Sequence, residues 1–169
     1  MAKKYNKLIF DGNICHIIIE DVHGRPIAEA VIDATDSTTI SSYRWIIRKD
    51  RHYIGARTKI DGKYIILSRF LMKPQENMVV DHINGDQLDN RRSNLRICSI
   101  RQNVQNAVKA RIPLSSKYKW VYWSRAARKW AAEVNKTYLG LFASEEDAAR
   151  IADEYAKQAQ GPFARCNFC

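Results

Sequence analysis

No apolar run in this chain approaches the roughly 20 residues that a membrane-spanning helix needs. No membrane partner is therefore expected of its 169 residues. The basic start, MAKKYNKLIF, leads into neither a long apolar segment nor a small-residue cleavage site, and no signal peptide is expected. Cysteine is also in short supply. Cys15, Cys98, Cys166 and Cys169 are scattered, and only the last two form a CxxC. Two ligands do not make a structural zinc site, so free thiols in a reducing cytoplasm are expected. An internal repeat is missing as well. The most informative scarcity is local: residues 91–140 hold a single acid, Glu133, against twelve Lys and Arg, a net +11.

That stretch accounts for the whole formal charge of +10, because residues 1–90 are near balance and residues 141–169 are slightly acidic. It also contains Trp120, Trp123 and Trp130 with several tyrosines, so it should fold rather than trail as a solvated tail. A folded, basic, aromatic surface calls for a polyanion partner whose affinity falls with salt.

The expected fold class is α+β. Residues 7–33 alternate and contain β-branched runs at 15–19 and 30–32, with turns at Gly12-Asn13 and His23-Gly24. Residues 43–49, 52–58 and 63–67 read as three more strands, joined by turns at Asp50-Arg51 and Asp61-Gly62. A helical turn at 68–72 should stop before Pro74. Residues 1–72 are thus expected to form one small antiparallel sheet. Residues 78–107 read as strand, polar loop, strand and helix, with Ser99-Ile100-Arg101-Gln102 as a capping box and the helix running to about Val108. A linker is expected at 109–117. Beyond it, 118–123, 128–135 and 137–142 read as strands, and Ser144-Glu145-Glu146-Asp147 starts a helix over 144–160 with an apolar stripe of Ala148, Ala149, Ile151, Ala152, Tyr155, Ala156 and Ala159. Gly161-Pro162 ends it. The domains expected are 1–108, an N-terminal sheet region with the 78–107 unit, and 118–169, a three-stranded antiparallel sheet packed on one helix.

The chemistry concentrates in Asp81, His82, Asn94 and Asn103. Asp81 and His82 are neighbours on a strand, so they point to opposite sides. One can hold a metal while the other faces a water. A carboxylate and an amide oxygen are hard ligands, suited to Mg²⁺ or Mn²⁺. A neutral histidine near its intrinsic pKa is a good general base. Asn84, Asp86, Asp89 and Asn90 read as turn formers, and His16, His23 and His52 as structural.

The segment V-V-D-H-I-N-G-D-Q-L-D-N-R-R-S-N-L-R-I-C-S-I-R-Q-N-V-Q-N resembles the HNH, or ββα-metal, nucleases over about residues 78–107, and most of all the phage and intron homing endonucleases. The resemblance implies a metal-dependent, site-preferring cut or nick in duplex DNA. It implies His82 as general base, and Asp81 and Asn103 as ligands of one divalent ion per active site. Asn94 would brace the loop and orient His82, and Arg96 would contact the phosphate. Asn103 stands where the family name implies histidine, which puts metal preference and rate in question. Arg91, Arg92, Arg101 and Asn106 are the expected DNA contacts in and beside this unit.

The C-terminal segments Y-K-W-V-Y-W, K-W-A-A-E-V, Y-L-G-L-F, S-E-E-D-A-A-R and G-P-F-A-R-C-N-F resemble the plant ethylene-response-factor (Apetala-two) DNA-binding domain over about 116–168. Spacing places Trp130, Ala132 and Val134 toward the helix, and Lys129, Ala131, Glu133 and Asn135 outward. The resemblance implies DNA contact from the open sheet face. The contacts expected there are Lys119, Tyr122, Arg125, Lys129, Glu133, Asn135, Lys136 and Tyr138. Together these readings predict a double-stranded DNA partner and a cytoplasmic protein of a bacterial or phage-infected cell. It would act as a monomer, or as a dimer assembled on DNA. The other reading is a DNA-binding regulator whose nuclease unit does not cut, and a weaker third one is an RNA binder using stacked aromatics.

Overall fold

The run Cys15-His16-Ile17-Ile18-Ile19 becomes a strand because its alternate side chains can be buried together: Cys15, Ile17 and Ile19 are fully enclosed and the residues between them are not. The computed structural model describes residues 5–50, 54–106 and 115–168. The backbone divides into two compact units, residues 1–99 and 100–169.

In the first unit, β1 (Lys7–Asp11), β2 (Ile14–Glu20) and β3 (Pro26–Asp33) form an antiparallel meander. Gly12, at φ 55°, makes the first turn. The Asp21 carboxylate accepts the backbone N–H groups of His23 and Arg25 and closes the second loop. A short helix, α1 (Ser37–Ile40), follows. Then β4 (Ile46–Lys49), β5 (Ile54–Ile60) and β6 (Lys63–Ile66) form a second antiparallel sheet. The single sheet expected over 1–72 is therefore two, because residues 34–40 turn helical and break the meander. The Asp61-Gly62 hairpin has positive φ at both residues, as its sequence predicts. Helix α2 (Leu67–Met72) ends on a left-handed Lys73, just before Pro74.

One core joins these parts: Cys15, Ile17, Ile19, Ala30 and Ile32 pack with Ile40, Trp45, Ala56, Leu67 and Leu71. Trp45 is its largest buried side chain, and its indole N–H donates to the Ile40 carbonyl at 3.1 Å. Asn6 ties the two sheets at this point. Its Oδ1 accepts the Trp45 N–H at 2.6 Å, and its Nδ2 donates to the carbonyls of Ile18 and Trp45. The unit closes with the two-stranded ribbon β7 (Val79–His82) and β8 (Leu95–Cys98). Cys15 and Cys98 are buried free thiols whose pKa is pushed up by burial. Among the described residues no helix is long and apolar enough to cross a membrane.

The second unit begins with α3 (Ile100–Asn106). The expected end of this helix at Val108, and most of the linker at 109–117, fall outside the described residues. Strands β9 (Val121–Ser124), β10 (Lys129–Val134) and β11 (Thr137–Phe142) form an antiparallel sheet with β10 central. Helix α4 (Glu145–Gln160) packs on it. The Ser144 hydroxyl accepts the Asp147 N–H at 3.0 Å, which realises the expected cap. Ala148, Ala149, Ala152 and Ala156 are fully buried against Val121, Ala132 and Val134, and small side chains let the helix lie close. The buried stripe differs in part from expectation. Ile151 and Ala159 face solvent, whereas Asp153 and Gln160 are inside. Ala131, expected outside, is 1% exposed because its cross-strand neighbours Tyr122 and Leu141 flank it.

Buried Asp153 has a structural task. Its carboxylate accepts the backbone N–H of Asn167, the Asn167 side-chain amide and the N–H of Phe168, all within 2.9 Å. Asn167 in turn accepts the Lys119 N–H at 2.6 Å and donates to the Lys119 carbonyl. One carboxylate thus fastens the last residues to α4 and to the entry of β9. Asp153→Ala should destabilise this unit by about 3 kcal/mol, since several N–H groups lose a charged acceptor together. Urea titration of the full chain reads the shift.

Candidate active site

The loop between β7 and β8 is built from residues that bond their own backbone. Asn84 Oδ1 accepts the Asp86 N–H, and Asp86 Oδ1 accepts the Leu88 N–H. Asp89 holds the Arg91 guanidinium through two bonds, at 2.8 and 2.7 Å, and this contact lowers the Asp89 pKa. Asn94 is the internal staple. It accepts the Asn84 N–H, and its amide donates to Asn84 Oδ1 and to the Asp89 carbonyl at 2.8 Å.

The first sheet then anchors this loop. Val31 N–H donates to the Leu88 carbonyl, Asn90 N–H donates to the Val31 carbonyl at 2.7 Å, and Val31 bridges Asp89 in parallel. Arg92 N–H donates to Asp33, and its guanidinium grips Asp36 at 3.0 and 2.7 Å. Gln87 reaches the start of β5, accepting the Ile54 N–H. The N-terminal region is thereby a scaffold for the loop. Arg91 and Arg92, expected as DNA contacts, spend their guanidinium groups on carboxylates here.

His82 is 9% exposed, and its Nε2 lies 3.3 Å from Asn90 Oδ1. The Asn90 amide donates to the carbonyls of Gln87 and Leu88. Its oxygen is therefore the acceptor, Nε2 carries the proton, and Nδ1 is the basic nitrogen of the ring. Burial holds the His82 pKa below its usual 6.5, and the Asn90 bond and, less so, the acids around it oppose this only partly. The imidazole is neutral at pH 7. The partner that sets its tautomer is Asn90, read from the sequence only as a turn former. Asn94 acts one step away, by fixing the loop that presents Asn90. The signal available in the sequence was the D-N-R triplet, whose asparagine is 1% exposed.

Asp81 points to the other side of the ribbon. It is 5% exposed and pairs across the strands with Arg96, whose Nε and Nη2 lie 2.8 and 2.6 Å from Asp81 Oδ2. Arg96, expected at the phosphate, thus neutralises the expected metal ligand. Asn103 lies on α3 in the second unit, with Arg101 exposed beside it. Asn106, expected as a DNA contact, is 7% exposed. Among the described residues no three His, Cys, Asp or Glu side chains converge on a metal position. His16 bonds Glu29 at 2.7 Å, in keeping with a structural role, and His52 lies outside the described residues.

In the second unit, Tyr122, Lys129, Glu133 and Tyr138 occupy the sheet face away from α4. Arg125 lies exposed between β9 and β10, and Asn135 and Lys136, both at positive φ, make the turn from β10 to β11. Lys119 is placed differently. Its ammonium donates to the Gln105 carbonyl of α3 at 2.7 Å and lies 4.3 Å from the Trp120 ring centre. Burial, with Arg165 nearby, lowers its pKa to about 8.

Residues 73–105 match a family model described as HNH endonuclease. The match runs from the end of α2 through β7, the stapled loop and β8 into α3. This segment is therefore similar to the HNH endonucleases, a class that hydrolyses DNA and generally works with a divalent metal. Neither the curated proteins nor the solved structures compared with the chain give a match.

Proposed function

We propose that this protein is a site-preferring DNA endonuclease of the homing type that hydrolyses one phosphodiester with His82 as general base. The observation that carries this reading is a buried, neutral histidine, held in one tautomer by Asn90, inside the segment that matches the HNH endonucleases. Water gives its proton to His82 Nδ1 as its oxygen attacks phosphorus. The P–O3′ bond breaks, and the 3′-oxygen takes a proton from solvent, leaving 3′-hydroxyl and 5′-phosphate ends. One such histidine per chain accounts for a nick by a monomer and for a double-strand break only when two chains act together.

The donor chemistry fits a hard divalent ion. Asp81 offers a carboxylate, and the sequence resemblance assigns the second ligand to Asn103. Few protein ligands suit Mg²⁺ or Mn²⁺, which keep water and phosphate oxygens in the rest of the shell. When bound, the ion supplies Lewis-acid stabilisation of the phosphate and leaving oxygen. The open sheet face of the second unit, with Tyr122, Lys129, Glu133 and Tyr138, supplies site preference as the Apetala-two resemblance implies. A sheet is one of the elements the major groove admits.

The Asp81–Arg96 pair favours a second reading, a DNA-binding regulator whose carboxylate is already satisfied by arginine. Supercoiled plasmid with Mg²⁺, Mn²⁺ or EDTA decides between the two. Metal-dependent open circles or linear product support the nuclease; binding without conversion on any DNA, including phage genomic DNA, supports the regulator.

The pH profile tests the base. Cleavage requires neutral His82, so its acid limb is expected below pH 6.5. Asn90→Asp places a carboxylate at the Nε2 proton, stabilises the imidazolium and should move that limb upward. A limb that ignores this substitution removes His82 from the base role. Stability follows the same sign. The unfolded chain protonates this ring near 6.5 and the folded chain lower, so stability falls as pH drops through that window.

A further inference from the structure

We propose that the first unit holds a second DNA site, a backbone-phosphate and stacking site on the open face of β4–β5–β6. A cavity of about 210 Å³ there is lined by Tyr43, Arg44, Ile46, Thr58, Lys59 and Tyr64. No carboxylate is among its described lining residues. Arg44 and Lys59 are exposed cations at its rim, and Tyr64 is 53% exposed. The Arg57 guanidinium lies over the Tyr64 ring at 3.9 Å, with Lys59 at 5.8 Å from the same ring. The Thr58 hydroxyl is spent on the Arg44 carbonyl at 2.8 Å, which fixes the rim to the floor.

Charge pairing sets the arginines of this face apart from most other described arginines of the unit. Arg25, Arg48, Arg91, Arg92 and Arg96 each face a carboxylate. Arg44, Arg57 and Lys59 form no ion pair among the described residues, and Arg57 Nε is buried without an acceptor. Uncompensated cations around an exposed aromatic ring suit an anion joined to a flat ring, the chemistry of a nucleotide. Small-molecule pockets typically run from about 300 Å³ upward, so a cavity of about 210 Å³ is small for enclosing a free nucleotide. An open trough fits one residue of a strand passing over it. The choice of DNA over RNA rests on the nuclease reading above.

The test measures binding, not cleavage. The full chain in EDTA is titrated into a fluorescent mixed-sequence duplex of about 30 base pairs with a single-stranded overhang, whose unpaired bases can stack, over a range of KCl. Each neutralised phosphate contributes about 0.9 to the slope of log affinity on log salt. Arg44→Gln with Lys59→Gln should lower the slope by about 2 and weaken binding at least tenfold at moderate salt. Tyr64→Ala should weaken binding about tenfold with the slope kept, as loss of a stacking platform does. Arg25→Gln, at an exposed and carboxylate-paired arginine, is the control and should leave the slope unchanged. Thermal melting accompanies each variant, and Arg44→Lys should retain the slope. A double variant that melts like the wild type and keeps its slope overturns the proposal. Loss of affinity for competing RNA but not for DNA overturns it too. Absence of DNA binding by the wild type would instead overturn the function proposed above.

Discussion

His82→Ala should cut the rate of plasmid conversion by about 10²–10⁴-fold, the usual contribution of a positioned base, and change DNA affinity in EDTA by less than about twofold. The two effects separate because of where the ring sits. His82 is 9% exposed and pointed at Asn90, not at the basic surface that attracts DNA. Removing the imidazole leaves Asn94, Asp89 and the Arg92–Asp36 clamp in place, so the loop keeps its anchors on β3. What disappears is a neutral nitrogen of lowered pKa, a group that accepts a proton from water without being protonated beforehand at pH 7. Undiminished conversion by His82→Ala, in a preparation free of contaminating nuclease, would sink the assigned mechanism. Equal loss of conversion and of binding would point to a collapsed loop, and thermal melting would show it.

Local chemistry was readable from the sequence, and non-local pairing was not. The D-H-x-N-G-D run, the Asp61-Gly62 hairpin and the Ser144 cap each depend on residues a few positions apart, and the structure places all three as expected. Asn94 is tied to the loop it was expected to brace. The role of Asn90 was hidden because an asparagine that turns its own backbone and one that orients a histidine look alike in sequence. Arg91 and Arg92 entered the count of positive charge that suggested DNA contacts, but formal charge does not show pairing. The carboxylate that Arg92 grips, Asp36, lies 56 residues upstream. The same blindness hid Lys119, whose ammonium serves a helix carbonyl, and the break of the first 72 residues into two sheets. Ala131 shows a smaller limit: alternation assigns a face, but its flanking neighbours decide whether that face is wet.

The Asp81–Arg96 pair yields the second large expectation, in which stability and activity part company. Asp81→Ala removes the carboxylate that pairs with Arg96, only 16% exposed at its side chain, and should cost about 3 kcal/mol, because breaking one side of a buried pair is costly. Arg96→Met should cost a similar amount by taking the guanidinium away from the Asp81 carboxylate. The double variant, Asp81→Ala with Arg96→Met, removes both charges together, so its loss should be smaller than the sum of the single losses by about 2 kcal/mol or more. Cleavage should not follow that recovery. If Asp81 is the carboxylate that holds the divalent ion, the double variant recovers part of the summed loss and is still inactive, whereas Arg96→Met keeps the ligand. Mn²⁺ added to the DNA-free proteins gives an independent reading: it should raise the melting temperature of Arg96→Met more than that of the wild type, since the ion no longer competes with a guanidinium. Restored cleavage in the double variant would remove Asp81 from the metal site. A melting shift with Mn²⁺ that is the same in the wild type and in Asp81→Ala would do so as well. Additive losses in the cycle would show instead that the pair, despite its 2.6 Å approach, contributes nothing to folding.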